Sequence, residues 1–492
     1  MSHTSNGAVG LRVQLSTMGR NFWVANTMEA FERLAFYGVR LVLPLYLVGA
    51  KGQGLGLSYK EKGLIYMLWA IFQCLIPMVS GGYTEAYGYR LSMCVAFSLN
   101  IAGYAMMANA SGFWSMLLAA LLVGAGTAIF KPPVQGSVAK SLNAGNSGLG
   151  FGIFYWLVNV GGFLGPLAAA TLRGNESRPT WSLVFYGAAI ATACNFLPAI
   201  FLFREPARDL ATRQKRPLQV FSETMAVLWK DQSMLRFLLV VSGFWFMFMQ
   251  LYDLLPNFLD EWVDTRDFGH FLSATLGTTA SGFLNASGGA KPEILINIDA
   301  CTILLLVLPL SWFFGRYKIM TSLVLGMSLA LGGFLLSGLT TVGFVAVAGI
   351  FVFALGEIIC SPKFSEYVGM TAPPGRKAQY MGYSNIPFAI GWAAGNGFSG
   401  PLYDTFASRM ALARQYLVDK LGMLPDAARA IADKDLLSAI AARLGGGATP
   451  HDALNALWHA YHPWVIWLIL GGVGLASVVG MIVLHRKSAS SG

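Results

Sequence analysis

The stretch Glu29-Ala30-Phe31-Glu32-Arg33-Leu34-Ala35-Phe36-Tyr37-Gly38-Val39-Arg40 places Glu29, Glu32, Arg33 and Arg40 inside a run that otherwise reads as a membrane-spanning helix. A charged side chain at the centre of such a helix costs roughly 2.5–3.5 kcal/mol on insertion scales, so intramembrane charges face a wet cavity and mark a solute or proton path. At about 100° per residue, Glu29, Arg33 and Arg40 fall on one narrow stripe, with Glu32 and Tyr37 flanking it on opposite sides. A stripe of that kind reads as a site rather than a lipid-facing surface.

Working outward, the rest of the chain is of the same class. Of its 492 residues 55% are hydrophobic and only 12% charged, and the mean hydropathy is +0.56. Its apolar blocks are long enough for a hydrocarbon core of about 30 Å. Twelve spans are expected, at about 21–48, 60–82, 90–109, 112–134, 149–172, 180–203, 234–259, 293–314, 318–339, 342–366, 376–402 and 462–485. Six precede the polar segment 204–233 and six follow it, which divides the chain into 1–203, a basic linker 204–233, and 234–492 with a large loop at about 403–461. The blocks are continuous and lack the alternation of membrane strands, so the chain is read as an all-α polytopic membrane protein and not a barrel.

The polar N-terminal twenty residues lack the apolar core and small-residue cleavage site of a signal peptide, so the first span is expected to be retained. Arg204, Arg208, Arg213, Lys215, Arg216 and Lys230 lie between spans six and seven, and Arg316, Lys318, Arg376, Lys377, Arg486 and Lys487 share that side by parity. Both termini are therefore expected in the cytoplasm, and retained spans without a targeting peptide suit a bacterial inner membrane. The opposite side carries Asp260, Glu261, Asp264 and Asp267. The formal charge of +10 is explained by this loop bias and calls for no nucleic acid.

The five cysteines, Cys74, Cys94, Cys194, Cys301 and Cys360, fall within spans without paired spacing, so neither a disulfide nor a cysteine metal site is expected. His451, His459 and His462 precede the last span, and an interfacial helix starting at Thr449-Pro450 accounts for them better than a metal does. Between 409 and 444 the chain reads as one or two amphipathic surface helices broken at Gly422 and Pro425.

Adding Lys131, Asp253, Asp299 and Glu357 to the first stretch gives acids Glu29, Glu32, Asp253, Asp299 and Glu357 against bases Arg33, Arg40 and Lys131. They cannot all be paired. An uncompensated carboxylate in a low-dielectric cavity is driven to take a proton, which makes proton coupling the expectation. If Asp299 lies close enough to an interface to stay solvated, the excess is one acid and not two.

Glu29-x-x-Glu32-Arg33-x-x-Phe36-Tyr37-Gly38 resembles the first-helix motif of the proton-dependent oligopeptide transporters, a branch of the major facilitator superfamily. In order along the chain, Gly124-x-Gly126 with Lys131-Pro132, Phe151-x-x-Phe154-Tyr155-x-x-x-Asn159-x-Gly161, Phe244-Trp245-x-x-Phe248-x-Gln250, and Gly356-Glu357-x-x-x-Ser361-Pro362 resemble further signatures of that family. Gly82-x-x-Glu85-x-x-Gly88-x-Arg90 is similar to the superfamily's gate motif, with Glu in place of Asp.

The resemblance implies the major facilitator fold: twelve transmembrane helices in two six-helix bundles around a central cavity. It implies that Glu29, Glu32 and Arg33 handle protons, with Asp253 added to them from this chain's own inventory of acids, and that Arg33, Tyr37, Arg40, Lys131, Tyr155, Asn159 and Glu357 line the substrate pocket. Glu357 would hold a substrate amino group, or pair with Lys131 when the pocket is empty, and Glu85 and Arg90 would gate. The expected partners are a peptide-like solute, protons and the lipid bilayer, with no cofactor. The family's helix-seven glutamate, which pairs with the arginine at the Arg40 position, is Met249 here, and Asp253 one turn on is the candidate replacement. Lys363-Phe364 and Glu366 also depart from the pattern. The function expected is proton-coupled import of short peptides or similar zwitterions. The alternatives are proton-coupled movement of another amphiphile, such as a drug-like molecule, siderophore or cell-wall fragment, and a transport-dead receptor. No nucleophile with a base, phosphate loop or metal-ligand cluster suggests an enzyme.

Overall fold

The computed structural model describes residues 11–50, 53–143, 146–174, 180–207, 217–314, 316–373 and 377–490. The linker cations Arg208, Arg213, Lys215 and Arg216, and Arg376, lie outside the described residues. Twelve long spans run through it: α1 Arg20–Val48, α2 Tyr59–Tyr87, α3 Tyr89–Ala108, α4 Phe113–Lys140, α5 Ser147–Arg173 and α6 Trp181–Cys194, continued by the turn Pro198–Leu202. The second set is α7 Gln232–Phe248, continued by Gln250–Asp253 and Leu255–Trp262, then α8 Pro292–Phe314, α9 Ile319–Gly338, α10 Gly343–Thr371, α11 Asn385–Phe406 and α12 Val465–Ser490. Ten of the helices are apolar enough to cross a membrane on composition alone. The charged stripe of α1 keeps it below that mark.

The packing repeats. In the first half α1 lies against α5 and α6, α4 against α2 and α3, and α3 against α6. Six spans later the same pattern returns, with α7 against α11 and α12, α10 against α8 and α9, and α9 against α12. The halves meet where α2 packs on α11 and α5 on α8, themselves equivalent pairs under the repeat. Close backbone approach positions the charged stripe: a Cβ on Gly165 of α5 would lie 2.5 Å from the Leu34 carbonyl and 2.7 Å from the Gly38 nitrogen of α1. Small residues at such contacts are how membrane helices pack without a hydrophobic drive between them.

Helix α7 is broken where it matters. Pro256 has no N–H to donate, and the Asn257 N–H turns to the Leu254 carbonyl at 3.1 Å. The Asp253 carbonyl is thereby left free for another partner.

The long loop after span eleven is helical, as the amphipathic pattern over 409–444 indicates. Span eleven continues to Phe406, and short helices follow at Arg409–Asp419, Pro425–Ala430, Leu436–Leu444 and Pro450–Tyr461. Thr449 caps the last of these in a capping box with Asp452, and Pro450 takes the first helical position, as the sequence indicates. The acidic loop after α7 folds into a helix at Arg266–Leu276. In the linker, helix Pro217–Lys230 packs on α2 and α7.

Candidate functional site: a charged cavity closed at the outer face

Hydrogen bonds between the halves gather at the ends of the spans away from the linker, termed the outer ends because the sequence reading places the linker in the cytoplasm. At their deepest level Arg40 of α1 forms an ion pair with Asp253 of α7. The second carboxylate oxygen accepts from Trp392 Nε1 and Asn396 Nδ2 of α11, each at 2.7 Å. The Arg40 guanidinium also lies over the Trp392 ring, 4.2 Å from its centroid. One turn further out, the buried Lys62 of α2 donates to the freed Asp253 carbonyl at 2.7 Å and to Asn257 Oδ1 at 2.8 Å. Asn257 in turn donates to the Pro44 carbonyl.

The outermost level centres on Glu261, which is buried rather than a solvated loop charge. Its carboxylate accepts from Tyr59 at 2.8 Å, and from Tyr403 and the Arg409 N–H at 3.1 Å each. Across the interface of α5 with α8, Arg173 pairs with Glu293 at 3.3 Å, and Lys291 donates to the carbonyls of Ala170 and Gly174.

Below this closure a cavity of about 700 Å³ occupies mid-depth and extends toward the inner ends of α5, α10 and α11. Arg33, Tyr37, Arg40, Lys131, Tyr155 and Glu357, all expected at the site, line it. Met249 is also in its wall, among aromatic side chains that include Trp245, Phe248, Phe364 and Phe388. Asn159 is not among the lining residues; its amide donates to the Tyr155 carbonyl one turn back. Asp253 lies behind Arg40 and does not line the cavity.

Arg33 sits between Glu29 at 3.1 Å and Glu32 at 2.5 Å, all three buried. Thr127 of α4 donates to the other oxygen of Glu32 at 3.1 Å. The first-helix acids thus stand behind the arginine that reaches the cavity. Lys131 makes no ion pair or hydrogen bond among the described residues, so the expected pair with Glu357 is not formed. Cations and Glu357 instead belong to opposite halves.

Asp299 belongs with the buried acids of the spans. It is 3% exposed, not solvated at an interface, and its Oδ2 accepts from Tyr252 at 2.7 Å. The same hydroxyl is 3.2 Å from Glu357 Oε2. The predicted gate residues lie apart from this cavity: Glu85 pairs with Lys140 at 2.8 Å, and Arg90 donates to the Phe203 carbonyl, within the first half. Sequence reading missed Lys62, Tyr252, Asn257, Trp392 and Asn396. Lys62 lies at the edge of the second span, Tyr252 is one of many tyrosines in the spans, and Asn257 follows the Pro256 break, whose freed carbonyl carries no side-chain signal. The clues in the sequence are Pro256, a break that can free a backbone carbonyl, and the i, i+4 spacing of Trp392 and Asn396.

Two repeated six-helix halves, sealed at one face over a charged cavity, define a membrane transporter and not an enzyme. The chain belongs to the Major Facilitator Superfamily, whose family model matches residues 30–396. Among curated relatives, multidrug resistance protein MdtH of Klebsiella pneumoniae (strain 342) is 24% identical over 80% of this chain and 88% of its own length. MdtH of Aeromonas salmonicida (strain A449) is 23% identical over 96% of both chains. In fold, the chain is similar to a POT family transporter solved with 5-aminolevulinic acid, with a TM-score of 0.68 and 16% identity over 95% of this chain and 96% of the other. It is also similar to a mutant of the nucleoside transporter NupG, with a TM-score of 0.67 and 13% identity over 94% of this chain and 99% of that one.

Proposed function

We propose that this protein is a proton-coupled symporter that imports short peptides or peptide-like zwitterionic solutes by alternating access. The observation that carries the reading is the division of charge across the cavity, with Arg33 and Lys131 on the first half and Glu357 on the second. A zwitterion bound between them tethers the halves through its two ends. Its carboxylate meets a guanidinium that can grip it bidentately, while its ammonium meets Glu357. Tyr37 and Tyr155 offer hydroxyls that both donate and accept to an intervening amide. Protonation of Glu29 or Glu32 loosens its hold on Arg33 and frees the arginine for substrate. Loss of the proton at the inner face restores the cluster and releases the solute. Basic residues at the linker side, Arg316 and Lys318 among them, support a cytoplasmic linker and termini, and the relatives named above come from bacteria.

Uptake of labelled dialanine into proteoliposomes, acid outside, tests this. Wild type is expected to accumulate it, with Glu29→Gln and Glu357→Gln losing at least about tenfold of the rate, the effect of one 1.4 kcal/mol interaction or more. A folded wild type that takes up none overturns the peptide reading. A second reading, proton-coupled movement of a drug-like amphiphile, is supported by apolar Met249 and the aromatic wall, and by relatives that carry the name multidrug resistance protein. Gradient-driven movement of a cationic dye, with no dialanine transport, would favour it.

A further inference from the structure

We propose that Asp299 and Glu357 share one exchangeable proton, bridged by the Tyr252 hydroxyl, so that the second half has its own proton store; this rests on the proton-coupled reading above. Tyr252 Oη lies 2.7 Å from Asp299 Oδ2 and 3.2 Å from Glu357 Oε2. A phenol has one proton to donate. When it is donated to Asp299, the contact with Glu357 becomes a hydrogen bond only if the Glu357 carboxyl carries a proton and donates it to the phenol oxygen. The reverse assignment is equally well formed, which is what sharing requires.

The surroundings favour one proton over none. Neither acid has a cation within ion-pair distance among the described residues. The groups that face them are neutral acids: Tyr37 from α1, Tyr155 from α5 and Tyr252 from α7, with Cys360 beside Glu357 on α10 itself. Arg33 is held by Glu29 and Glu32, and Arg40 by Asp253. Asp299 Oδ1 is buried without a hydrogen-bond partner, a poor setting for a full negative charge. Two unpaired anions about one hydroxyl repel each other, and one proton between them removes the repulsion.

Exchange follows a balanced relay. The Glu357 O–H bond breaks as a bond forms to Tyr252 Oη, while the tyrosine's own O–H breaks and its proton bonds to Asp299 Oδ2. Tyr252 is neutral before and after, and one proton has passed from the cavity wall to the acid behind it. Glu357 lines the cavity and Asp299 does not, so Glu357 is the port and Asp299 the store.

Infrared spectroscopy of the full chain in lipid vesicles, without solute, tests the sharing through the stretch of protonated carboxyl groups. The expected result is a band component that moves in heavy water, persists at shifted frequency in Asp299→Asn and in Glu357→Gln, and is lost only in the double variant. Its complete loss in either single variant, or losses that simply add, would overturn the shared proton. Tyr252→Phe keeps both acids and fills nearly the same space, and it must shift the component; an unshifted component overturns the bridge. Because no solute is used, failure of dialanine uptake sinks the peptide reading without deciding this spectrum.

Discussion

Asp253 of α7 and Arg40 of α1 form a buried ion pair across the two halves, one turn beyond Met249, where the resembled family carries its glutamate. At this position Asp253 meets α1, α2 and α11 together. Its side chain takes the arginine, the tryptophan and the asparagine, and its carbonyl takes Lys62.

Asp253→Asn leaves Arg40 buried with no counter-charge. Removing one member of a buried pair costs about 3–5 kcal/mol. The outer face is expected to open, seen as a longer distance distribution between spin labels at positions 60 and 405 and a loss of gradient-driven transport. Unchanged distances would show that the pair does not hold the closure.

Lys62→Met keeps the stem of the side chain and removes the ammonium, stranding the Asp253 carbonyl and Asn257 Oδ1. Hydrogen bonds to charged groups contribute about 1.5–3 kcal/mol each. Hydrogen–deuterium exchange is expected to rise in peptides covering 253–262 and to stay level at the inner end of α7. A protected 253–262 segment would assign closure to the Glu261 level alone.

Lys131 and Glu357 do not touch in this closed-outer state, so their removal is expected to be independent. In a thermal-stability cycle of Lys131→Gln, Glu357→Gln and the double variant, the changes should add to within about 0.5 kcal/mol. A coupling above about 1 kcal/mol would mean that the two meet in the resting protein after all.

Gly165→Ala puts a Cβ against the backbone of α1, where neither helix can yield without moving the charged stripe. Overpacking of this kind costs about 1–3 kcal/mol, and a lower melting temperature with reduced transport is expected. Gly332→Ala in α9, with nothing within 4 Å of the new Cβ, is the control and should be neutral or slightly stabilising. Equal effects at both sites would remove close packing as the cause.

Sequence alone determined the membrane class, the approximate positions of the spans, the charged stripe of α1 and the charged side chains that line the cavity, Arg33, Arg40, Lys131 and Glu357, because a low-dielectric core leaves few reasons to keep a charge in a span. It also indicated the capped helix after Thr449, since capping is chemistry between near neighbours in the chain. Tertiary structure decided the rest: the repeat of packing between halves, the partner of Arg40, the separation of Lys131 from Glu357 and the meeting of Asp299 with Glu357 over Tyr252. These depend on which helices face one another and on a carbonyl freed by a broken helix. Neither quantity is written in local periodicity, because helix neighbours are chosen by packing between segments far apart in the chain.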